Sequence, residues 1–361
     1  MPQHNNIYRD LIMKKSASPI RDVKVVSRSK TSEKQNINHI QQSSVDKSQP
    51  TFVYTENFKC WQHPWTLQFM CKQYFLGFLK QNPQKKTQNL AQVSNELAQV
   101  FAEATVGIQH RQSNIQLPCQ DAAKATLKPR PILIVCDGAG SSAVSDIGSQ
   151  ALVTQLTRLC QSLEPLIAPY LDQKDNQDIH PLVRVLVRHA IGILEDCANI
   201  HKRSIRDFRS TLNFAIVGTE HILWLKIGDG EIVHEQIMLD KDSLPQKQYQ
   251  CLGENHKGEF ANQTQFIDDQ LKLNDVHWGI LPSKTTTGLV LMSDGASEKL
   301  VSHDRKNVAG QISTWLEQLR QNQFKVAEFY QRIYAEDFLK RSTGDDRSIA
   351  LYSKMYHLAE S

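Results

Sequence analysis

The sequence predicts an α+β fold with antiparallel sheets, on three observations. Short apolar runs rich in β-branched residues come in groups, and helical patterns come in pairs, instead of alternating one for one. Two of these runs end in Asp-Gly: Pro131-Ile-Leu-Ile-Val-Cys-Asp137-Gly138 and Gly288-Leu-Val-Leu-Met-Ser-Asp294-Gly295. Two others, 211–217 and 221–227, flank Gly218-Thr-Glu220 as the arms of a hairpin. Runs this short, broken by Gly, read as buried strands and not as helices.

Taken in order, the chain opens with a basic segment. Residues 1–50 carry nine Lys/Arg against four Asp/Glu, a balance of +5, while the remainder balances at −1. The segment is rich in Ser, Gln and Asn, and residues 1–52 read as a disordered tail. Its charge leaves open a solvated leader or a docking arm for an acidic partner or nucleic acid. Residues 53–100 form an aromatic-rich helical extension, for nine aromatics stand between Phe52 and Phe78. A helix over 65–79 would pack on the main domain, or else meet a partner or a membrane surface. A second helix is expected over about 88–102.

From about 104 the character turns to strands, with 104–110 alternating and β-branched. The run to Asp137 follows, then helical patterns over about 144–170 and 180–204. After the hairpin comes Gly228-Asp229-Gly230 and a third strand over 231–238. Residues 239–262 are polar and hold Gly253, Asn255 and Gly258, long enough for a functional loop. The strand to Asp294 is followed by helical patterns over about 307–321 and 324–339. A final strand comes after Asp345-Asp346.

Composition narrows the classes. With 361 residues the chain has room for one large domain with extras, or two. Its seven Cys are scattered and show no C-x-x-C spacing, so neither a disulfide framework nor a zinc site is supported. Reduced thiols, the lack of a basic-then-apolar leader and the lack of a membrane-length apolar run point to a cytoplasmic protein.

The chemistry lies in acids at strand ends: Asp121, Asp137, Asp229, Asp294 and Asp345. Singly, such an Asp is usually a turn former or helix cap. Five together, two in Asp-Gly after apolar strands, suggest a shared site for hard divalent ions such as Mg²⁺ or Mn²⁺. Clustered carboxylates repel unless cations neutralise them. Two such ions can clamp a phosphoryl group for in-line attack. Gly138-x-Gly140-x-x-Ala143 also mimics a dinucleotide fingerprint, but Asp137 would set an anion beside the pyrophosphate.

Five short motifs in order carry a family resemblance: Val106-Gly-Ile-Gln-His…Pro118-Cys-Gln-Asp121-Ala; Val135-Cys-Asp137-Gly138-Ala-Gly140; Ser210-Thr211-Leu…Ile227-Gly-Asp229-Gly; Leu291-Met-Ser-Asp294-Gly295; and Gly344-Asp345-Asp346-Arg-Ser-Ile. In this the chain resembles bacterial members of the metal-dependent protein phosphatases of type 2C, over 101–355. The resemblance implies a four-layer αββα sandwich, two antiparallel sheets flanked by helix pairs. It implies a signalling serine/threonine protein phosphatase with two or three Mn²⁺ or Mg²⁺ ions, hydrolysing phosphoesters by attack of a metal-bridging water. Asp137 would bridge the metals, the Gly138 carbonyl would bind one, and Asp294 and Asp345 would hold the other. Asp121 would orient ligand or water, and Asp229 would help bind a third ion. Residues 239–262 would be the substrate-side flap.

The chain departs from the family at three places. Ala139 stands where some members carry a His acid, Gln120 stands where eukaryotic members have an acid, and the phosphate-gripping Arg has no clear counterpart. His110 and Arg111 are the substrate-binding candidates, with His110, at a strand end, also the candidate proton donor beside the catalytic Asp137 and Asp294. The implied partner is a phosphoserine or phosphothreonine protein, with an opposing kinase as a further candidate; no nucleic acid is expected, and the chain is expected to be a monomer. The rival is a pseudophosphatase that binds partners.

Overall fold

The computed structural model describes residues 98–112, 117–175, 178–239, 245–253, 264–340 and 342–355. Two five-stranded antiparallel sheets stack face to face. The first has the order β1 (Ala98–Thr105), β10 (Arg347–Lys354), β9 (Thr286–Met292), β6 (Glu231–Leu239), β7 (Pro245–Cys251). The second has the order β2 (Ala122–Thr126), β3 (Ile132–Cys136), β4 (Leu212–Val217), β5 (His221–Ile227), β8 (His277–Pro282).

Alternation along β3 shows how the layers are cemented. Ile132, Ile134 and Cys136 face one way, into a core shared with α2 (Ser145–Ser162), α3 (Glu164–Leu171) and α4 (His180–His201). Leu133 and Val135 face the other sheet, where they meet Leu289, Leu291 and Tyr352. A third core lies outside the first sheet. There Val290, Met292 and Leu351 pack under α6 (Gly310–Arg320), α7 (Val326–Ile333) and α8 (Glu336–Leu339). Strands buried on both faces need apolar residues at every position, which is why their sequences read as unbroken runs. The layers are helix, sheet, sheet, helix, as the resemblance implied.

The structure corrects three expectations. Residues 98–102 are strand, not the end of a helix; the rest of that helix, the tail and most of the extension lie outside the described residues. Ala, Gln and Glu there favour helix locally, but eight residues of pairing with β10 outweigh propensity. Phe101 joins the outer core while Ala98, Val100 and Ala102 join the inter-sheet core. Second, the 104–110 strand stops at Thr105, and α1 (Ile108–Gln112) follows. Gly107 makes this turn possible, since a Cβ there would sit 2.3 Å from the Asp345 carbonyl carbon. Third, the polar segment is in part an edge strand: β7 pairs with β6 from Leu239↔Pro245 to Val233↔Cys251. Only Tyr249 and Cys251 pack on the core, with Lys247 in the same row paired to Glu317, so its periodicity is faint. Residues 254–262 of that segment lie outside the described residues.

The described cysteines, Cys119, Cys136, Cys160, Cys197 and Cys251, are all free thiols. Among the described residues, no helix is long and apolar enough to cross a membrane.

Candidate active site

All five predicted acids converge on one edge of the sandwich. Asp137 leaves the end of β3, Asp121 precedes β2, which pairs Ala122 with Cys136, and Asp345 precedes β10. Asp294 follows β9 and opens α5 (Asp294–Leu300), and Asp229 stands in the turn between β5 and β6. Antiparallel pairing brings these ends together, for Met292 lies opposite both Ile349 and Glu231.

The Asp137-Gly138 turn is fixed by its neighbours. The Asp137 carbonyl accepts from Thr211 N and Ser210 Oγ, each at 2.8 Å, and Asp137 N donates to Thr211 Oγ1 at 3.1 Å. Gly138 N donates to the Gln120 carbonyl at 3.1 Å. A Cβ on Gly138 would stand 2.7 Å from that oxygen, so no other residue closes this turn without a shift. Asp121 is buried and accepts from Ser348 Oγ at 2.7 Å. Asp294 Oδ1 accepts from Gly295 N at 2.5 Å, and Asp229 Oδ2 accepts from Thr264 Oγ1 at 2.7 Å.

The acids act on one another. Burial pushes Asp137 well above the usual carboxylate range, and the charges of Asp121, Asp294 and Asp229 push the same way. Burial and like charge thus favour the neutral form of Asp137 and Asp294 wherever no cation is bound. Burial raises Asp294 to about 6, helped by the Asp229 and Asp345 charges, and raises Asp121 to about 8. Among the described residues none of the five acids forms an ion pair. Nor do any three His, Cys, Asp or Glu side chains there stand close enough to grip an ion as they are placed. The donor set nonetheless fits a hard cation: it is all oxygen, mutually repelling, and graded from buried Asp121 to exposed Asp229.

His110 and Arg111 fall elsewhere than a strand end. Both lie on α1, a correction that follows from the early stop of β1. His110 Nδ1 is 3.0 Å from Asp346 Oδ2. Arg111 Nη2 donates to Tyr334 Oη at 2.8 Å, and its guanidinium lies 4.5 Å from that ring's centroid. Ala139 is buried.

Sequence reasoning missed Asp346. Its carboxylate accepts from Gly107 N and Gln120 N, both at 2.6 Å, besides facing His110. It thereby ties α1 and the approach to Asp121 onto the strand that follows Asp345. The second acid of Asp345-Asp346 was the visible signal, but nothing local says that it enters a backbone nest while Asp345 joins the acid cluster.

A model of the protein phosphatase 2C family matches residues 106–331, and the chain belongs to that family. This makes its class that of the protein-serine/threonine phosphatases. The fold is similar to PppA, a key regulatory component of T6SS in Pseudomonas aeruginosa. That match has 15% identity and a TM-score of 0.47, and covers 72% of this chain and 98% of that one. It is also similar to the catalytic domain of the serine/threonine phosphatase PstP in complex with two manganese ions, at 14% identity and a TM-score of 0.46, with 71% and 98% covered. The phosphatase Stp1 from Staphylococcus aureus matches at 13% identity and a TM-score of 0.45, with 72% and 94% covered. No curated protein matches the chain.

Proposed function

We propose that the chain is a metal-dependent phosphatase of phosphoserine and phosphothreonine proteins. The observation that carries the reading is the convergence of Asp121, Asp137, Asp229, Asp294 and Asp345 at neighbouring strand ends, where their charges act on one another. Asp137, the Gly138 carbonyl, Asp294 and Asp345 would hold two Mn²⁺ or Mg²⁺ ions, and Asp229 would help to hold a third. Asp121 would orient ligand or water. When bound, such ions supply a nucleophilic water at neutral pH and positive charge for the phosphoryl group. The chain's own part is to fix the ligands on rigid strand ends and to keep the Asp137 turn closed through Thr211 and Ser210.

An alkoxide leaves poorly unless it is protonated as the bond breaks, and a positioned acid contributes about 10²–10⁴-fold to such a step. Ala139 cannot give that proton. His110 is the candidate donor, with Nδ1 held toward Asp346. Arg111 would contact substrate only by leaving the Tyr334 ring. His110→Ala should therefore slow phosphoserine-peptide hydrolysis much more than aryl-phosphate hydrolysis. Equal slowing on both would make His110 a binding or structural group.

The test of the whole reading is phosphate release. Mn²⁺ or Mg²⁺ should support it and a chelator should abolish it. Turnover that survives prolonged chelation, or a strict need for zinc, would sink the assignment. A partner-binding pseudophosphatase is the second reading, favoured by the methyl group of Ala139. A cytoplasmic, monomeric signalling protein opposed by a kinase, with a basic tail over 1–52, an aromatic extension over 53–100 and a catalytic domain over 101–355, completes the proposal.

A further inference from the structure

The planar fork of a guanidinium matches the oxygens of a phosphoryl group. Of the two substrate-binding candidates, Arg111 is bonded and stacked on Tyr334, and His110 faces Asp346.

A different cation stands at the site's rim. Arg209 lies immediately before Ser210-Thr211, the pair that fixes the Asp137 carbonyl, and its own carbonyl accepts from Ala139 N at 3.0 Å. Gly138 bridges to Ser210, and Ser210 bridges to Ile267, so three segments run side by side here. The third begins at Thr264, which is bonded to Asp229. The Arg209 side chain turns back over the loop that follows Asp137-Gly138. Its Nε lies 3.4 Å from Ser142 Oγ and 3.2 Å from the Arg206 carbonyl, and its Nη2 lies 3.4 Å from Ser141 Oγ. Phe266 supports the guanidinium, with 5.5 Å between its carbon and the ring centroid. Every partner is neutral, and two of the three bonds are long. Among the described residues Arg209 forms no ion pair, in contrast to Arg130 and Arg320, which are locked to carboxylates.

We propose that Arg209 is the substrate-side arginine of this site and grips the phosphoryl group across the loop of Ala139 to Ser142. The inference rests on the phosphatase reading above and adds a residue to it. A guanidinium on long, neutral contacts exchanges them readily for two charge-assisted bonds to phosphoryl oxygens. The Ser141 hydroxyl beside it offers a further donor to the same group, while that of Ser142 is bonded to the Arg206 carbonyl at 2.8 Å.

Arg209→Ala and Arg209→Lys in the full chain, loaded with Mn²⁺, test this. With a phosphoserine peptide of neutral flanks, Arg209→Ala should raise KM about tenfold, with most of the loss in KM. The inhibition constant of inorganic phosphate should rise about as much. Arg209→Lys should recover part of both, and the melting temperature should stay with the parent's. Unchanged KM and phosphate inhibition would overturn the proposal. So would an effect confined to a peptide with acidic flanks, or a fall in melting temperature that accounts for the loss. Should the parent chain turn over no substrate, the phosphatase reading fails on its own. Titration of inorganic phosphate into the Mn²⁺-loaded protein then decides: about tenfold weaker binding by Arg209→Ala supports Arg209, and equal or undetectable binding in both overturns it.

Discussion

The two ends of β3 treat buried charge in opposite ways. Arg130, just before the strand, is buried, yet its guanidinium is met on every side. Nε donates to Glu164 Oε2 at 2.8 Å, and Nη1 and Nη2 donate to Asp172 at 3.1 and 2.8 Å. Asp172 in turn accepts from Thr219 N at 2.8 Å. Those partners hold Arg130 more firmly protonated than an ordinary arginine, against the effect of burial. At the other end Asp137 is buried among acids, and burial with like charge drives its carboxyl toward the neutral form. One end spends its charge on cohesion. The other concentrates charge of one sign, which costs stability unless cations arrive, and this is the arrangement a metal-dependent hydrolase needs.

The largest effect that could break this comparison is on turnover. Asp137→Asn keeps the shape of the turn and removes the central charge. We expect metal-dependent phosphate release to fall by more than the 10²–10³-fold usual for one electrostatic group, with loss of at least one bound ion. Asp294→Asn and Asp345→Asn should come close. The same Asp137→Asn should raise the melting temperature of the metal-free protein, because it relieves repulsion. Near-normal turnover at saturating Mn²⁺, or a fall in metal-free stability, would contradict the picture of a strained acid cluster.

At the opposite end the expected signs reverse. Arg130→Ala leaves Glu164 and Asp172 partly buried without their cation, which should cost about 3 kcal/mol of stability. Chemical denaturation reads this directly. Turnover at a temperature where the variant is folded should match the parent, since Arg130 is at the far end of the strand from Asp137. A variant as stable as the parent would show that the Arg130 cluster is incidental.

The contrast also explains what the sequence could disclose. Asp137 and Asp294 were legible because each follows a short unbroken apolar run in Asp-Gly, and a doubly buried strand cannot hide that pattern. The α+β class with antiparallel sheets followed from grouped strands and paired helices, and the four layers from the family resemblance. Asp346 was not legible, because its partners, Gly107, His110 and Gln120, lie far away in sequence. Arg209 was not either, since its position beside Ala139 is set by pairing between segments seventy residues apart. The edge strand β7 and the short α1 were misread for the same reason. Their local propensities are weak or contrary, and tertiary pairing decides them.

A smaller effect sharpens the comparison through pH. Asp121 has a carboxyl raised from 3.8 to about 8 in the folded state. Its native pKa therefore exceeds its unfolded one, so its contribution to stability is full at low pH and is lost as pH rises through about 8. Asp294, raised to about 6, acts in the same direction at lower pH. Half-buried His189 and buried His234 oppose this below 6.5, because their pKa values are pushed down from 6.5 to about 4 and their contribution is lost as pH falls. Between pH 6.5 and 8 the acids prevail, and the metal-free protein should lose about 1–2 kcal/mol. Saturating Mn²⁺ should remove the slope. A metal-free protein that gains stability across that window would refute the assignment of Asp121 to the buried cluster.

The smallest expected effect belongs to the basic segment. Residues 1–50 hold nine cations, four acids and few aromatics, so the sequence gives them little apolar surface with which to add to the three cores. Their charge of +5 is spread through a sequence rich in Ser, Gln and Asn. Deleting 1–50 should leave the melting temperature within about a degree and aryl-phosphate turnover nearly unchanged, since surface charge far from its partners contributes about 0–1 kcal/mol. Turnover of a protein substrate at low salt is where a loss would appear, shrinking as salt rises. A large fall in melting temperature on deletion would mean that this segment, like the Arg130 end, belongs to the cohesive part of the molecule.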